Sequence, residues 1–203
     1  MDEARKAVAA ISGDRLEALY SLVMTVGLRQ GEALGLRWND LDLDAGTLTV
    51  DEALQRYERE YHLNQPKLRR SWRTIALPEP LVARLRAHRT KQLEEQLMDG
   101  QRRFGNHWDL VFTTALGQPL NGTTVTRMFQ RLLVRAGLPM KRFHDLRHSA
   151  ASFMLAEGVP MRVVMETLGH SDYSLTANVY SHVAPDLQRD AAERVGRLIL
   201  GAS

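Results

Sequence analysis

The sequence predicts a mainly α-helical domain with one small three-stranded antiparallel β-sheet near its N-terminal third. Three observations lead there. Apolar residues recur at helical spacing from Leu16 to Val26 and, with short breaks, from Asn121 to the end. The β-type signal is confined to Thr47-Leu48-Thr49-Val50 and to residues at about 53–65 and 72–77. Gly and Pro fall between these stretches rather than inside them.

Taken in order, Gly13-Asp14 precedes the first helix, with Asp14 near its N-cap, and Gly27 ends it. A short helix is expected from Gln30 to Leu36. Asn39-Asp40 and Asp44-Ala45-Gly46 are turn-rich. The three β segments follow, and Pro78 and Pro80 end them and open a helix to about Met98. Residues from Asp99 to Trp108 read as a loop, and Leu110-Val111-Phe112 as a brief strand. The remaining helices are expected at about 122–136, 144–157, 160–168, 174–181 and 185–200, punctuated by Gly137, Gly158, Gly169 and Pro185.

Composition narrows the chemistry. The 203 residues are 44% hydrophobic and 25% charged, ordinary for a globular chain. There is no cysteine, so disulfides and thiolate metal sites are excluded. No apolar run approaches the ~18–20 residues that span a bilayer, and the charged start, Met1-Asp2-Glu3-Ala4-Arg5, leads into no signal-type segment. A cytoplasmic protein with no membrane partner is the expectation. The net charge of +3 is unevenly spread. Residues 1–60 hold 7 Lys/Arg against 12 Asp/Glu, whereas residues 67–105 hold 10 against 4. A basic middle segment is usually a solvated face. It points to a polyanion only when it converges with reactive groups.

Several groups do converge. In His144-Asp145-Leu146-Arg147 the outer residues are three apart and share a helix face. An imidazole beside a guanidinium suits a phosphate, and a bare helix start is the plain alternative. Arg29 stands at the head of a helix with Glu32 three residues on, placed to fix its fork or to make a surface ion pair. Lys67 lies between two β segments, as solvated decoration or as a general acid toward a leaving alkoxide. Gly169 leaves His170 on a turn, and Tyr180 follows ten residues later. A phenol with pKa near 10 attacks only where cations or a base favour the phenolate.

The order and spacing of these groups resemble the tyrosine recombinases, also called phage-type integrases. The resemblance is carried by Gly27-Leu28-Arg29-Gln30-Gly31-Glu32, Lys67 in a hairpin, His144-Asp145-Leu146-Arg147, Leu168-Gly169-His170 and Tyr180. It extends to Leu34-Gly35-Leu36-Arg37-Trp38, Asp40-Leu41-Asp42 and Asn178-Val179-Tyr180-Ser181-His182, and covers roughly residues 10–185. The resemblance implies the family's catalytic-domain fold over residues 1–185, followed by an amphipathic tail at 186–203. Ala191, Ala192, Val195, Leu198 and Ile199 mark the apolar face of that tail. The tail packs on its own domain or docks on a neighbouring subunit. The N-terminal DNA-clamping domain usual in the family is expected to be absent from these residues.

The resemblance further implies an enzyme that breaks and rejoins double-stranded DNA through a covalent 3′-phosphotyrosyl intermediate. Arg29 and Arg147 bind the scissile phosphate, Tyr180 is the nucleophile and Lys67 protonates the leaving 5′ oxygen. His144 assists proton transfer, His170 hydrogen-bonds the phosphate and Glu32 orients Arg29. Arg69, Arg70, Arg73, Lys141 and Arg142 are expected to contact DNA. No cofactor, metal or ATP is implied. The assembly is a homo-tetramer on DNA and a monomer when free. Three rivals compete with this reading. A metal hydrolase would use His144 and His148, four apart, but Asp145 stands where a catalytic glutamate belongs. A DNA-binding regulator would need neither Tyr180 nor Lys67. A type IB topoisomerase would share the chemistry without Leu168-Gly169-His170.

Overall fold

The structure, a computed structural model, describes residues 2–65, 72–99, 105–169, 197 and 201. Seven helices appear among them: α1 (Asp2–Ile11), α2 (Glu17–Val26), α3 (Gln30–Gly35), α4 (Glu79–Asp99), α5 (Gly122–Arg135), α6 (Phe143–Ala156) and α7 (Met161–Leu168). Five short strands lie between α3 and α4: β1 (Leu41–Asp42), β2 (Thr47–Val50), β3 (Ala53–Tyr57), β4 (Glu60–Asn64) and β5 (Arg73–Ala76). The mainly helical class with small antiparallel sheets is therefore the observed one. Among the described residues no helix is long and apolar enough to cross a membrane. The helices expected at 174–181 and 185–200 lie outside the described residues, apart from helical Arg197.

Helix α2 is the centre of the core. Leu19, Tyr20, Leu22 and Val23 are fully buried on it, and α1, α3, α4 and α6 pack around it. Tyr20 meets Phe129 of α5 at 5.2 Å and Phe143 of α6 at 6.2 Å between ring centroids. The expected helix start is close. Asp14 Oδ1 accepts the Leu16 backbone N–H at 2.8 Å, one turn before α2 settles. In α5, Val125, Phe129 and Leu133 recur every fourth residue and are buried. Asn121 caps that helix, accepting from the backbone of Thr123 and Thr124. Among its described side chains, helix α1, which the apolar periodicity does not mark, buries only Ile11 completely.

The sheet differs from expectation in its third member. β1, β2 and β5 form the three-stranded antiparallel sheet, with Leu48 opposite Ile75 and Val50 opposite Arg73. Residues 53–64 instead fold on themselves as the β3–β4 hairpin. Turn chemistry decides this. Glu58 and Arg59 both take positive φ, the two-residue turn that lets adjacent strands pair directly. Meanwhile Asp42 Oδ1 accepts from the backbone of Asp44 and Ala45, returning the chain from β1 to β2.

Leu110-Val111-Phe112 is not a strand. These three residues are fully buried, with one isolated bridge from Leu110 to Arg37. Side chains, not a neighbouring strand, satisfy much of their backbone. Asn106 both donates to and accepts from Leu110, Gln92 reaches the Leu110 and Val111 carbonyls, and His88 Nε2–H donates to Val111 O at 2.8 Å. His88 and Gln92 continue the buried stripe of α4 that starts with Leu81, Val82 and Leu85.

Candidate active site

The site forms where α2 ends, α3 begins, β5 enters its sheet and α7 ends. Gly27 closes α2 in the left-handed conformation, φ 70°. A side chain here is strained, and its Cβ would collide with Leu168 Cδ2. The turn buries Leu28 and puts Arg29 at the first position before α3. Glu32 then reaches back: its Oε2 accepts the Arg29 backbone N–H at 2.9 Å, and its Oε1 accepts Arg29 Nη1–H at 2.7 Å. Glu32 thus bonds both the backbone and the side chain of Arg29. Gln30, which the sequence motifs left without a role, ties α3 to α5 by donating to Gly122 O and Thr126 Oγ1.

Three guanidiniums meet the C-terminal end of α7. Arg73 Nε–H donates to Thr167 O at 2.7 Å, Arg147 Nη2–H to Leu168 O at 2.7 Å and Arg29 Nη2–H to Gly169 O at 2.8 Å. These are successive carbonyls at the negative end of a helix, where cations are favoured. Arg147 also donates to Gly27 O at 2.6 Å, joining α6 to the α2–α3 turn. Arg73 grips Glu32 from the other side, with Nη2 2.8 Å from Oε2 and Nη1 3.3 Å from Oε1.

Charge follows from this packing. Glu32 is 5% exposed. Burial works to raise its carboxyl, yet the hydrogen bonds and charges of Arg73 and Arg29 carry it below the usual carboxylate value. Arg147 is 2% exposed, and burial together with the nearby Arg29 pushes it down to about 10, with Arg73 adding and Glu32 opposing. It is still a cation at neutral pH. One carboxylate thus binds two guanidiniums, with the third, Arg147, held nearby on backbone carbonyls, and Arg29, with its side chain 43% exposed, stands at the open edge. Such a cluster suits an anion with several oxygens.

The His144–Arg147 pair ends in two settings. Arg147 is buried, while His144 is exposed and packs edge-on to His148 at 4.8 Å between centroids. Partial burial first, then the charges of His148 and Arg147, lower the His144 pKa, which keeps the ring neutral and able to accept a proton. Among the described residues no group of three or more His, Asp or Glu is placed to hold a metal ion.

Other expected contacts have different surroundings. Arg73, expected to face DNA, has its side chain 8% exposed and turned inward. The signal was in the strand: residues two apart share a face, so a core-facing Ile75 puts Arg73 on the core side. Lys141 Nζ donates to Glu3 Oε2, and Arg142, 78% exposed, pairs with Asp145. On α4 the three arginines find partners of their own. Arg84 pairs with Glu17, Arg86 with Asp44, and Arg89 lies over the Trp38 ring at 5.1 Å. Lys67, Arg69, Arg70, His170 and Tyr180 lie outside the described residues.

Comparison with known proteins settles the lineage. Residues 1–186 match the model of the phage integrase family. This chain belongs to the phage integrase family. Its relatives in that family include a tyrosine recombinase XerC-like protein of Caldanaerobacter subterraneus subsp. tengcongensis, 36% identical over 98% of this chain and 54% of the relative. The ICEBs1 integrase of Bacillus subtilis is 26% identical over the same shares of the two chains. The chain thus spans about half the length of these relatives. Among solved integrase-family structures, the Tn1549 transposon integrase in complex with transposon right end DNA aligns with a TM-score of 0.81 at 21% identity, over 96% of this chain and 64% of that one. The XerA recombinase aligns with a TM-score of 0.72 at 24% identity, over 96% and 63%. These likenesses establish the fold as that of a tyrosine recombinase catalytic domain.

Proposed function

We propose that this chain is the catalytic part of a site-specific recombinase that cleaves and rejoins double-stranded DNA through a covalent link to Tyr180. The observation that carries the reading is the cluster of three guanidiniums at the end of α7, two of them sharing one buried carboxylate, open at Arg29. Family membership supports it, as does the DNA bound in the Tn1549 transposon integrase structure.

In this reading the exposed edge of Arg29 takes the non-bridging oxygens of the scissile phosphate. Arg147, behind it, adds positive charge and any donor not directed at Gly27 or Leu168. Both oppose charge that grows as phosphorus becomes five-coordinate, an effect on the order of 10²–10³ in rate for one such donor. Tyr180 Oη bonds to phosphorus and the bond from phosphorus to the 5′ oxygen breaks. The tyrosine proton passes to neutral His144, and Lys67 gives a proton to the departing 5′ oxygen. His170 hydrogen-bonds the phosphate. The phosphotyrosyl ester keeps the energy of the phosphodiester, so a 5′-hydroxyl from a second strand reverses the step without ATP or a metal. Four copies on DNA bring the two strands together.

The test is a nicked suicide duplex carrying a candidate core site, scored for a protein–DNA adduct. Wild-type protein is expected to form the adduct, and Tyr180→Phe to bind the duplex without forming it. An adduct with Tyr180→Phe would refute the nucleophile assignment. Binding should weaken steeply with salt, with a slope near −0.9 per phosphate contact on a logarithmic plot.

A further inference from the structure

Arg73 is the one guanidinium of the cluster that the mechanism above does not use. It stands at the start of β5, opposite Val50 and on the face of Ile75, six residues after Lys67. Its side chain is nearly buried, and its donors run in two directions at once. The Nη1–Nη2 edge lies along both oxygens of Glu32, and Nε–H points to Thr167 O. Glu32 Oε1 accepts Arg29 Nη1–H at 2.7 Å as well, so one carboxylate is shared between the two guanidiniums. Gly169 closes over the group so tightly that a Cβ there would sit 2.7 Å from Arg73 Nη1.

We infer that Arg73 is a positioning residue for phosphate binding: through Glu32 and the Thr167 carbonyl it holds the Arg29 fork and the end of α7 in register, without touching DNA. The inference rests on the recombinase reading above. Three features carry it. First, Glu32 needs a counter-cation on the side away from Arg29. Without one the carboxylate is free to turn wholly onto Arg29 and draw its exposed edge inward. Second, the end of α7 is where the chain enters residue 170, so loosening the Thr167 contact loosens the entry to His170. Third, the task needs a planar fork. A lysine offers a compact charge that can meet Glu32 or Thr167 O but cannot reproduce the flat edge on one and the Nε–H on the other. A misplacement of about 1 Å at a reacting centre is enough for a ~10²-fold loss of rate.

The experiment measures single-turnover cleavage of the nicked duplex by wild type, Arg73→Met and Arg73→Lys. DNA affinity at several salt concentrations and thermal unfolding are measured alongside. The expected result is a cleavage rate constant reduced about 10²-fold in both variants, with half-saturating DNA concentration and salt slope unchanged. Combining Arg73→Met with Glu32→Gln should cost no more rate than the worse single change, because both act through one contact. Arg73→Lys keeps the positive charge, so it serves if the methionine variant does not fold. A salt slope shallower by about 0.9 would mean a lost phosphate contact and overturn the inference. Full cleavage by Arg73→Lys would overturn it too, since charge alone would then suffice. Wild-type protein that forms no adduct at all would sink the recombinase reading together with this one.

Discussion

Removing the Glu32 carboxylate is the sharpest perturbation of this fold. It accepts the Arg29 backbone N–H, Arg29 Nη1–H and two N–H groups of Arg73, and it is 5% exposed. Glu32→Ala leaves nearly buried Arg73 without its carboxylate and frees the first turn of α3. Breaking a buried ion pair from one side costs about 3–5 kcal/mol, because the remaining charge stays desolvated. Glu32→Gln keeps the shape and one acceptor oxygen, so about 2–3 kcal/mol is expected from weakened charge-assisted bonds. For a chain of this length 1 kcal/mol shifts Tm by about 2–4 °C, so Glu32→Ala should melt about 6–20 °C below wild type. Circular dichroism against temperature, with urea titration as a second measure, reads this directly. The sign with pH is also set. Folding lowers the Glu32 pKa, so its stabilisation is fully present above the ordinary value of 4.5 and is lost as pH falls through the lower folded value. The gap in Tm between wild type and Glu32→Gln should therefore close in acid. An alanine variant melting within about 2 °C of wild type at pH 7 would refute the reasoning, since even 1 kcal/mol shifts Tm that far.

Two further expectations follow from single contacts. Gly27→Ala combines a left-handed backbone with a Cβ that collides with Leu168 Cδ2, and should cost about 2–4 kcal/mol in stability while displacing α7. Equal Tm values for the two proteins would show that the turn relaxes freely. His88 is 6% exposed and its pKa is lowered, first by burial, against the opposing bond to Val111 O. A base with a depressed folded pKa favours unfolding once the unfolded chain takes the proton. Stability is therefore complete above about pH 6.5 and falls as pH drops below it. His88→Gln should flatten this part of the pH–Tm curve, and an unchanged slope would assign the acid sensitivity elsewhere.

Part of the arginine cluster was legible without coordinates. Arg29 and Glu32 meet because residues at a helix head and three positions on are neighbours, a local rule. The helix ends at Gly27 and Gly169 were equally local, since a left-handed position asks for glycine. Arg73 was expected at DNA from the charge around it. In a run with Arg69 and Arg70 it looks like one more solvated cation, whereas strand alternation turns it inward. The strand expected at 110–112 failed for a related reason. Its apolar residues are buried as a β signal suggests, but beyond the bond from Val111 N–H to Leu36 O, Gln92, His88 and Asn106 supply hydrogen bonds that a partner strand would give.

The sequence by itself determined the helical class, the helix boundaries around the site and the family resemblance, because periodicity, capping and motif order are local properties of the chain. Only the tertiary structure decided which strands pair, that Arg73 shares Glu32 with Arg29, and that three arginines, from the head of α3, β5 and α6, close on successive carbonyls at the end of α7. The three carbonyl contacts join residues 21 to 140 positions apart, and Arg73 reaches Glu32 across 41. No local rule specifies them; they exist because buried charges must find partners wherever packing of the core brings them together.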